Sequence, residues 1–102
     1  MTPPRARLVV TRRAAADIRR IFFYTMEHWN REQAEHYEAR VRQAMNLLID
    51  NPELGIPRRD LRSLAIEQHA IWYRYREGVV TVIRVLHGRQ QIPSSMALEL
   101  EE

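Results

Sequence analysis

The hydrophobic positions of the chain change period once, from helical spacing in the first half to alternation in the second. Residues 7–10 form a short apolar run that predicts a strand, and Thr11 is suitably placed to cap a helix after it. Apolar residues then recur every three or four positions, which predicts helices over 12–28 and 31–50. With only two residues between them, including Asn30 as a second cap, the helices are expected to form an antiparallel hairpin.

The second half predicts a small antiparallel sheet. A loop is expected at 54–59, where glycine and proline punctuate the chain, followed by strands at 64–66 and 69–75 and a turn at Glu77-Gly78. Strict alternation in the last strand, 79–87, would divide its side chains between two faces: Val79, Thr81, Ile83, Val85 and His87 on one, and Val80, Val82, Arg84 and Leu86 on the other. The order β-α-α-β-β-β, with the helices grouped together, indicates an α+β fold whose helix-free sheet face is open to binding.

Length and composition favour a single compact unit. The 102 residues are enough for one domain, assigned to 1–89, and the remaining 90–102 form an acidic tail with Glu99, Glu101 and Glu102. The chain contains no cysteine, no apolar run of membrane-spanning length and no signal-peptide pattern. We therefore expect a cytoplasmic protein without disulfides.

Charge narrows the choice of partner. All 16 basic residues are arginine and none is lysine, and the formal net charge is +3. Six arginines lie within residues 5–20 against Asp17 alone. Such a surface favours an acidic partner, either protein or nucleic acid, although a merely solvated arginine-rich surface is an equally ordinary explanation.

The last strand carries the candidate chemistry. His87 is able to act as an acid or a base near neutral pH, and Arg84 or Arg89 is suited to holding a phosphate. Arg84 and His87 are three positions apart, so their side chains should leave opposite faces of a regular strand, which argues against a joint catalytic site. For Arg84 the alternative is a structural ion pair with one of three carboxylates: Asp17, Asp60 or Glu67. The histidines show no metal-ligand spacing, so no metal and no cofactor are expected.

Several short motifs, taken in order, resemble ParE-type toxins of the RelE/ParE superfamily. They are Ala16-Asp17-Ile18, Trp29 with Gln33-Ala34 and Tyr37, Asn51-Pro52-Glu53-Leu54-Gly55, Tyr73-Arg74, and Ile83-Arg84-Val85-Leu86-His87-Gly88-Arg89. The resemblance covers residues 7–89 and implies a toxin neutralised by an antitoxin encoded beside it. ParE-like members inhibit DNA gyrase, whereas RelE-like members cleave messenger RNA on the ribosome.

The resemblance favours gyrase inhibition without enzymatic activity. RelE-like toxins use lysines and often a C-terminal tyrosine for catalysis, and this chain has no lysine and no tyrosine after Tyr75. The expected target-binding residues are Arg84, His87 and Arg89. The alternatives are an mRNA endoribonuclease that uses those three residues as catalytic groups, and a non-toxic remnant that still binds an antitoxin.

An acidic antitoxin segment would need arginines for steering and apolar side chains for burial. Two surfaces combine these properties, the outer side of the helical hairpin and the open sheet face. The residues expected to bind the antitoxin are Arg19, Phe23, Met26, Trp72 and Arg74. Sequence-specific binding of nucleic acid is not expected.

Overall fold

The computed structural model describes residues 5–88. Arg89 and the acidic tail 90–102 lie outside the described residues, as do residues 1–4. Seven elements follow one another along the chain: β1 (Arg7–Val10), α1 (Arg12–His28), α2 (Arg31–Asp50), β2 (Ile56–Arg58), β3 (Leu61–Ile66), β4 (His69–Arg76) and β5 (Val79–His87). The predicted α+β class and both helices are confirmed.

Each helix begins at the residue that the sequence indicates. The hydroxyl of Thr11 accepts a hydrogen bond from the backbone N–H of Ala14 at 3.1 Å, and the amide oxygen of Asn30 accepts one from Gln33 at 2.7 Å. These bonds satisfy N–H groups that the first turn of a helix otherwise leaves unpaired. The two helices pack against each other, and α1 also packs against β5. None of the helices within residues 5–88 is long and apolar enough to cross a membrane.

The sheet is mixed, with the strand order β1-β5-β4-β3-β2. The last strand, β5, lies between β1, to which it is parallel, and β4, to which it is antiparallel. The predicted loop at 54–59 is wrong in part, because β2 pairs with β3. All three residues of β2 are exposed and one is Pro57, so neither alternation nor β propensity marks it as a strand.

A β-bulge divides β5 in two. Trp72 of β4 pairs with Arg84, but its neighbour Tyr73 pairs with Val82, so Ile83 has no partner of its own. The extra residue shifts the alternation by one position. The predicted division of β5 into two faces is therefore wrong beyond Ile83, because Val85 lies on the face of Val82 and Leu86 on that of Ile83.

The main core lies between the helices and the sheet. Its central members are Val41, Leu48, Ile71, Tyr73, Val80, Val82 and Val85. Ile83 and Leu86 belong instead to a second cluster with Leu61 and Trp72. Trp29 is 73% exposed, because the helix ends at His28 and Trp29 lies in the connection to α2.

Tyr73 joins the loop after α2 to the middle of the sheet. Its buried hydroxyl donates to the carbonyl of Pro52 and accepts from the N–H of Gly55, both at 2.8 Å. A Cβ atom at Gly55 would lie only 2.7 Å from that hydroxyl, so glycine is required for this close approach. The loop and the sheet are thereby held in one arrangement.

Candidate functional site

A groove of about 750 Å³ lies between the two helices and the end of the β4–β5 hairpin opposite its turn. We refer to it as the histidine groove. The polar and aromatic side chains that line it come from α1, α2, the connection between them and the sheet: Asp17, Arg20, Tyr24, Trp29, His36, Tyr37, Glu67, His69, Arg84 and His87.

Asp17 is the most buried charged group of the described residues, with only 2% of its surface exposed. One carboxylate oxygen accepts from Nε of Arg84 at 2.7 Å, and the other accepts from a terminal nitrogen of Arg84 at 3.1 Å. Arg20, one turn further along α1, adds a third contact at 3.2 Å. The predicted structural ion pair of Arg84 is confirmed, and its partner is Asp17.

Asp17 also completes the hydrogen bonding of the sheet. β1 ends at Val10, so beyond Val82 the edge of β5 that faces away from β4 has no strand beside it. There the hydroxyl of Thr11 donates to the carbonyl of Ile83 at 3.0 Å, and the Asp17 carboxylate accepts from the N–H of Val85, also at 3.0 Å. The start of α1 therefore takes the place of a missing strand, which fixes the position of Arg84 at the groove.

Two histidines face each other across the end of the β4–β5 hairpin. His69 and His87 are paired residues of the sheet, and their ring centroids are 5.7 Å apart with the planes inclined by 70°. Nδ1 of His69 makes a short contact with the hydroxyl of Tyr37 on α2. That hydroxyl also lies 3.1 Å from the carbonyl of Ile66. Because the hydroxyl has one proton, donation to Ile66 leaves its oxygen to accept from Nδ1–H of His69.

The surroundings of these groups set their protonation. Burial raises the pKa of Tyr37 to about 12, and the charge of Glu67 acts in the same direction, so the phenol stays neutral. Burial lowers the pKa of His69 below its usual value, and the neighbouring His87 lowers it further. His69 is therefore biased towards the neutral imidazole.

The structure brings together two residues that the sequence had separated. Arg84 and His87 line the same groove, although both follow the bulge and leave opposite faces of β5, as expected. Arg84 pairs with Trp72 on the face of the second cluster, and its guanidinium reaches Asp17 of α1 at the strand edge that β1 leaves open, so the separation does not keep the two residues out of one groove. Arg89, the third predicted target-binding residue, lies outside the described residues.

Sequence reasoning missed the contribution of His69 and Tyr37. A regular hairpin closed by Glu77-Gly78 would pair His69 with Leu86, and only the one-residue shift at the bulge pairs it with His87. The sequence marks Tyr37 only as a member of a motif shared with ParE-type toxins, which gives it no role in a site. No sequence signal gives both the bulge and the approach of α2 to the end of β4.

The predicted antitoxin-binding residues fall on two separate surfaces. Arg19 and Phe23 are exposed on α1 and Met26 is half-buried there, whereas Trp72 and Arg74 are half-buried on the sheet face opposite the main core. The indole Nε1 of Trp72 and Nε of Arg74 are buried without a hydrogen-bond partner among the described residues. Their role in binding an antitoxin remains a prediction.

The chain is similar to known toxins over most of its length. A family model described as "ParE toxin of type II toxin-antitoxin system, parDE" matches residues 8–92. Toxin ParE1 of Caulobacter vibrioides is 35% identical over 83 residues, which is 76% of this chain and 84% of that protein. Toxin ParE1 of Mycobacterium tuberculosis is 29% identical over 96 residues, 89% of this chain and 98% of that protein.

A solved structure shares the fold. It is described as "Chromosomal ParDE TA system from P. aeruginosa", and it superposes with a TM-score of 0.74 at 21% identity. The match covers 83% of this chain and 98% of that one. The two helices, the mixed sheet and the family match lead to the same conclusion: the chain belongs to the ParE toxin family of type II toxin–antitoxin systems.

Proposed function

We propose that this ParE-type toxin acts in the cytoplasm by inhibiting DNA gyrase, and that a cognate antitoxin encoded beside it neutralises it. The observation that supports this choice of target is the ion pair between Arg84 and Asp17. Nε and one terminal nitrogen of Arg84 both donate to Asp17, so the fork that would hold a phosphate is already committed within the chain. With no lysine to replace it, the groove is better suited to binding a protein than to stabilising a phosphorane.

The antitoxin assignment rests on the family and on charge. The relative from P. aeruginosa is described as a ParDE system, which supports a ParD-like partner for this chain. The proposed contacts are the exposed arginine and apolar side chains of α1 and the sheet face around Trp72 and Arg74. The proposed target-binding residues are Arg84 and His87 at the end of β5, together with Arg89, which lies outside the described residues.

A second candidate, RNA cleavage, is favoured by one observation. His69 and His87 lie close enough to act on opposite sides of one phosphodiester. The hydroxyl of Tyr37 holds the His69 ring through Nδ1, as a third group commonly does for a catalytic base. In that mechanism one imidazole would take the proton of the 2′-hydroxyl and the other would protonate the leaving 5′-oxygen. The ribosome would have to supply the cations that the committed Arg84 does not.

One experiment separates the two candidates. Purified toxin is added to DNA gyrase with relaxed plasmid and, in parallel, to ribosomes translating a defined messenger RNA. Gyrase inhibition predicts loss of negative supercoiling with intact transcripts, and equimolar antitoxin should restore supercoiling. Fully active gyrase at excess toxin, together with cleaved transcripts, would reject the first candidate in favour of the second.

A double substitution sharpens this comparison. His69→Gln with His87→Gln removes both imidazoles while Asp17 and Arg84 keep their ion pair, so the fold should persist. RNA cleavage through the histidines would be abolished in that variant. Gyrase inhibition through protein contacts should be weakened at most through the loss of His87.

A further inference from the structure

The histidine groove contains carboxylates, but each has a cation beside it. Asp17 is held by Arg84 and Arg20. Glu67 lies 3.6 Å from Arg40 of α2. Three histidines also line the groove: His36, His69 and His87.

Among the three, His69 has the most constrained surroundings. On the α2 side, the His69 ring contacts the neutral hydroxyl of Tyr37, and His36 of the same helix lines the groove. On the β5 side, the His69 ring contacts the ring of His87. Glu67 lies two residues before it, paired with Arg40, and Arg84 and Arg20 on the opposite wall are paired with Asp17. Its surroundings therefore favour the neutral imidazole while the groove holds only the chain's own groups.

An incoming carboxylate would reverse that balance. An anion within about 4 Å of an imidazole favours its charged form. Burial of His69, which disfavours charge in the free protein, would strengthen its attraction to a partner of opposite sign.

We propose that the histidine groove binds a carboxylate-bearing segment of the acidic antitoxin against the His69–His87 pair, and that the complex takes up a proton as it forms. This inference rests on the proposed function, because the occupant is the antitoxin. It places one contact of that partner in the groove, in addition to α1 and the open sheet face.

The rim of the groove provides the apolar part of the same contact. Trp29 is 73% exposed and Tyr24 is 60% exposed, and the ring of Tyr24 stacks on His28 at 3.9 Å. Side chains of this kind supply much of the binding energy when a partner covers them. An acidic segment with apolar residues therefore matches the aromatic rim and the histidine pair together.

The direction of the pH dependence follows from the protonation change. His69 is neutral in the free toxin at pH 7.5 and charged in the complex, so the pKa is higher in the bound state. Binding must then tighten as the pH falls from the bound-state pKa to the free-state pKa, by about tenfold per pH unit for one proton. The gain ends once the pH is below the pKa of the free protein, where both states are protonated.

Calorimetry measures the proton directly. The toxin is titrated with the antitoxin encoded beside it, at pH 7.5, in phosphate and in Tris buffer, whose ionisation enthalpies differ widely. The difference in observed heat gives the number of protons taken up. We expect about one for the unmodified toxin, and a value close to zero for His69→Gln.

Two further variants keep the test decisive. His28→Gln, whose ring lies on α1 outside the groove, should retain the full proton uptake. His87→Gln removes the neighbour that lowers the pKa of His69, so it should retain the uptake, and because His87 is exposed this variant should fold even if His69→Gln does not. A complex of the unmodified toxin or of His87→Gln that forms without proton uptake, or one of His69→Gln that forms with it, would overturn this inference alone. A toxin that forms no complex at any pH would overturn the proposed function as well.

Discussion

Substitution Asp17→Ala should destabilise the toxin more than any other single change at a charged residue of the described structure. Asp17 is 2% exposed and accepts hydrogen bonds from Arg84, Arg20 and the N–H of Val85. Alanine would leave the Arg84 guanidinium, whose side chain is 19% exposed, without its carboxylate. It would also leave a strand N–H unpaired on the edge of β5.

The magnitude follows from these two losses. Removing one partner of a buried ion pair costs about 3–5 kcal/mol, and an unpaired buried N–H costs about 1–3 kcal/mol. The two terms overlap because water can reach Arg84 in part, so we expect a loss of about 4 kcal/mol in the free energy of unfolding. A domain of this size has a total of about 5–15 kcal/mol, so the variant should be marginally stable.

Urea unfolding followed by circular dichroism measures the loss. Asp17→Asn keeps an oxygen for Val85 and should lose less, about 2 kcal/mol. The matched control is Asp50→Ala, which breaks the 2.8 Å contact with Arg5 between side chains that are 69% and 57% exposed. That pair should contribute less than about 1 kcal/mol.

A double-mutant cycle tests the mechanism. Replacing Arg84 by methionine in the Asp17→Ala background removes the unpaired charge, and the double variant should be more stable than the sum of the single losses by about 1–3 kcal/mol. Strict additivity, or a loss for Asp17→Ala no larger than that for Asp50→Ala, would show that the ion pair does not hold α1 to the sheet.

Three further predictions concern the core and the groove. Tyr73→Phe leaves the N–H of Gly55 unpaired, so the free energy of unfolding in urea should fall by about 1–3 kcal/mol, and an unchanged unfolding midpoint would contradict the hydrogen bonding. Gly55→Ala places a Cβ 2.7 Å from the Tyr73 hydroxyl and 3.0 Å from a backbone oxygen. The free energy of unfolding should fall by about 1–3 kcal/mol, and the thermal midpoint should fall with it. In the control Gly88→Ala the added Cβ would lie 3.3 Å from its nearest atom, so the loss should be much smaller. His69 has a lowered pKa in the folded protein, so the unfolded chain binds more protons between that pKa and about 6.5, and stability must fall as the pH falls through this window. His69→Gln should flatten that part of the stability–pH curve, whereas His28→Gln should leave its slope unchanged.

The helical half of the fold could be predicted almost residue by residue. Thr11 and Asn30 are strong local caps, and the apolar spacing between them is regular, so local chemistry and tertiary packing agree. The strands were harder to predict from the sequence. The strand β2 is held only by its pairing with β3, and the phase of β5 depends on one unpaired residue, Ile83.

The site shows the same division between local and distant causes. A carboxylate partner for Arg84 was expected from the cost of burying a charge, and Asp17 was one of three candidates. The pairing of His69 with His87 depends on the bulge, and the contact with Tyr37 depends on how α2 lies across the sheet. Neither is a property of a short stretch of sequence.

The position of β5 has a consequence for the order in which the chain folds. It is the last of the described elements to be synthesised, yet it separates β1 from β4 in the sheet and carries Arg84 and His87. The contacts that hold the start of α1 to it join residues 67 to 72 positions apart. Pairings of such long range slow folding, and here they cannot begin before residue 79 has left the ribosome. A nascent chain that stops short of β5 has neither the ion pair nor the groove, so the groove forms only after β5 has been synthesised.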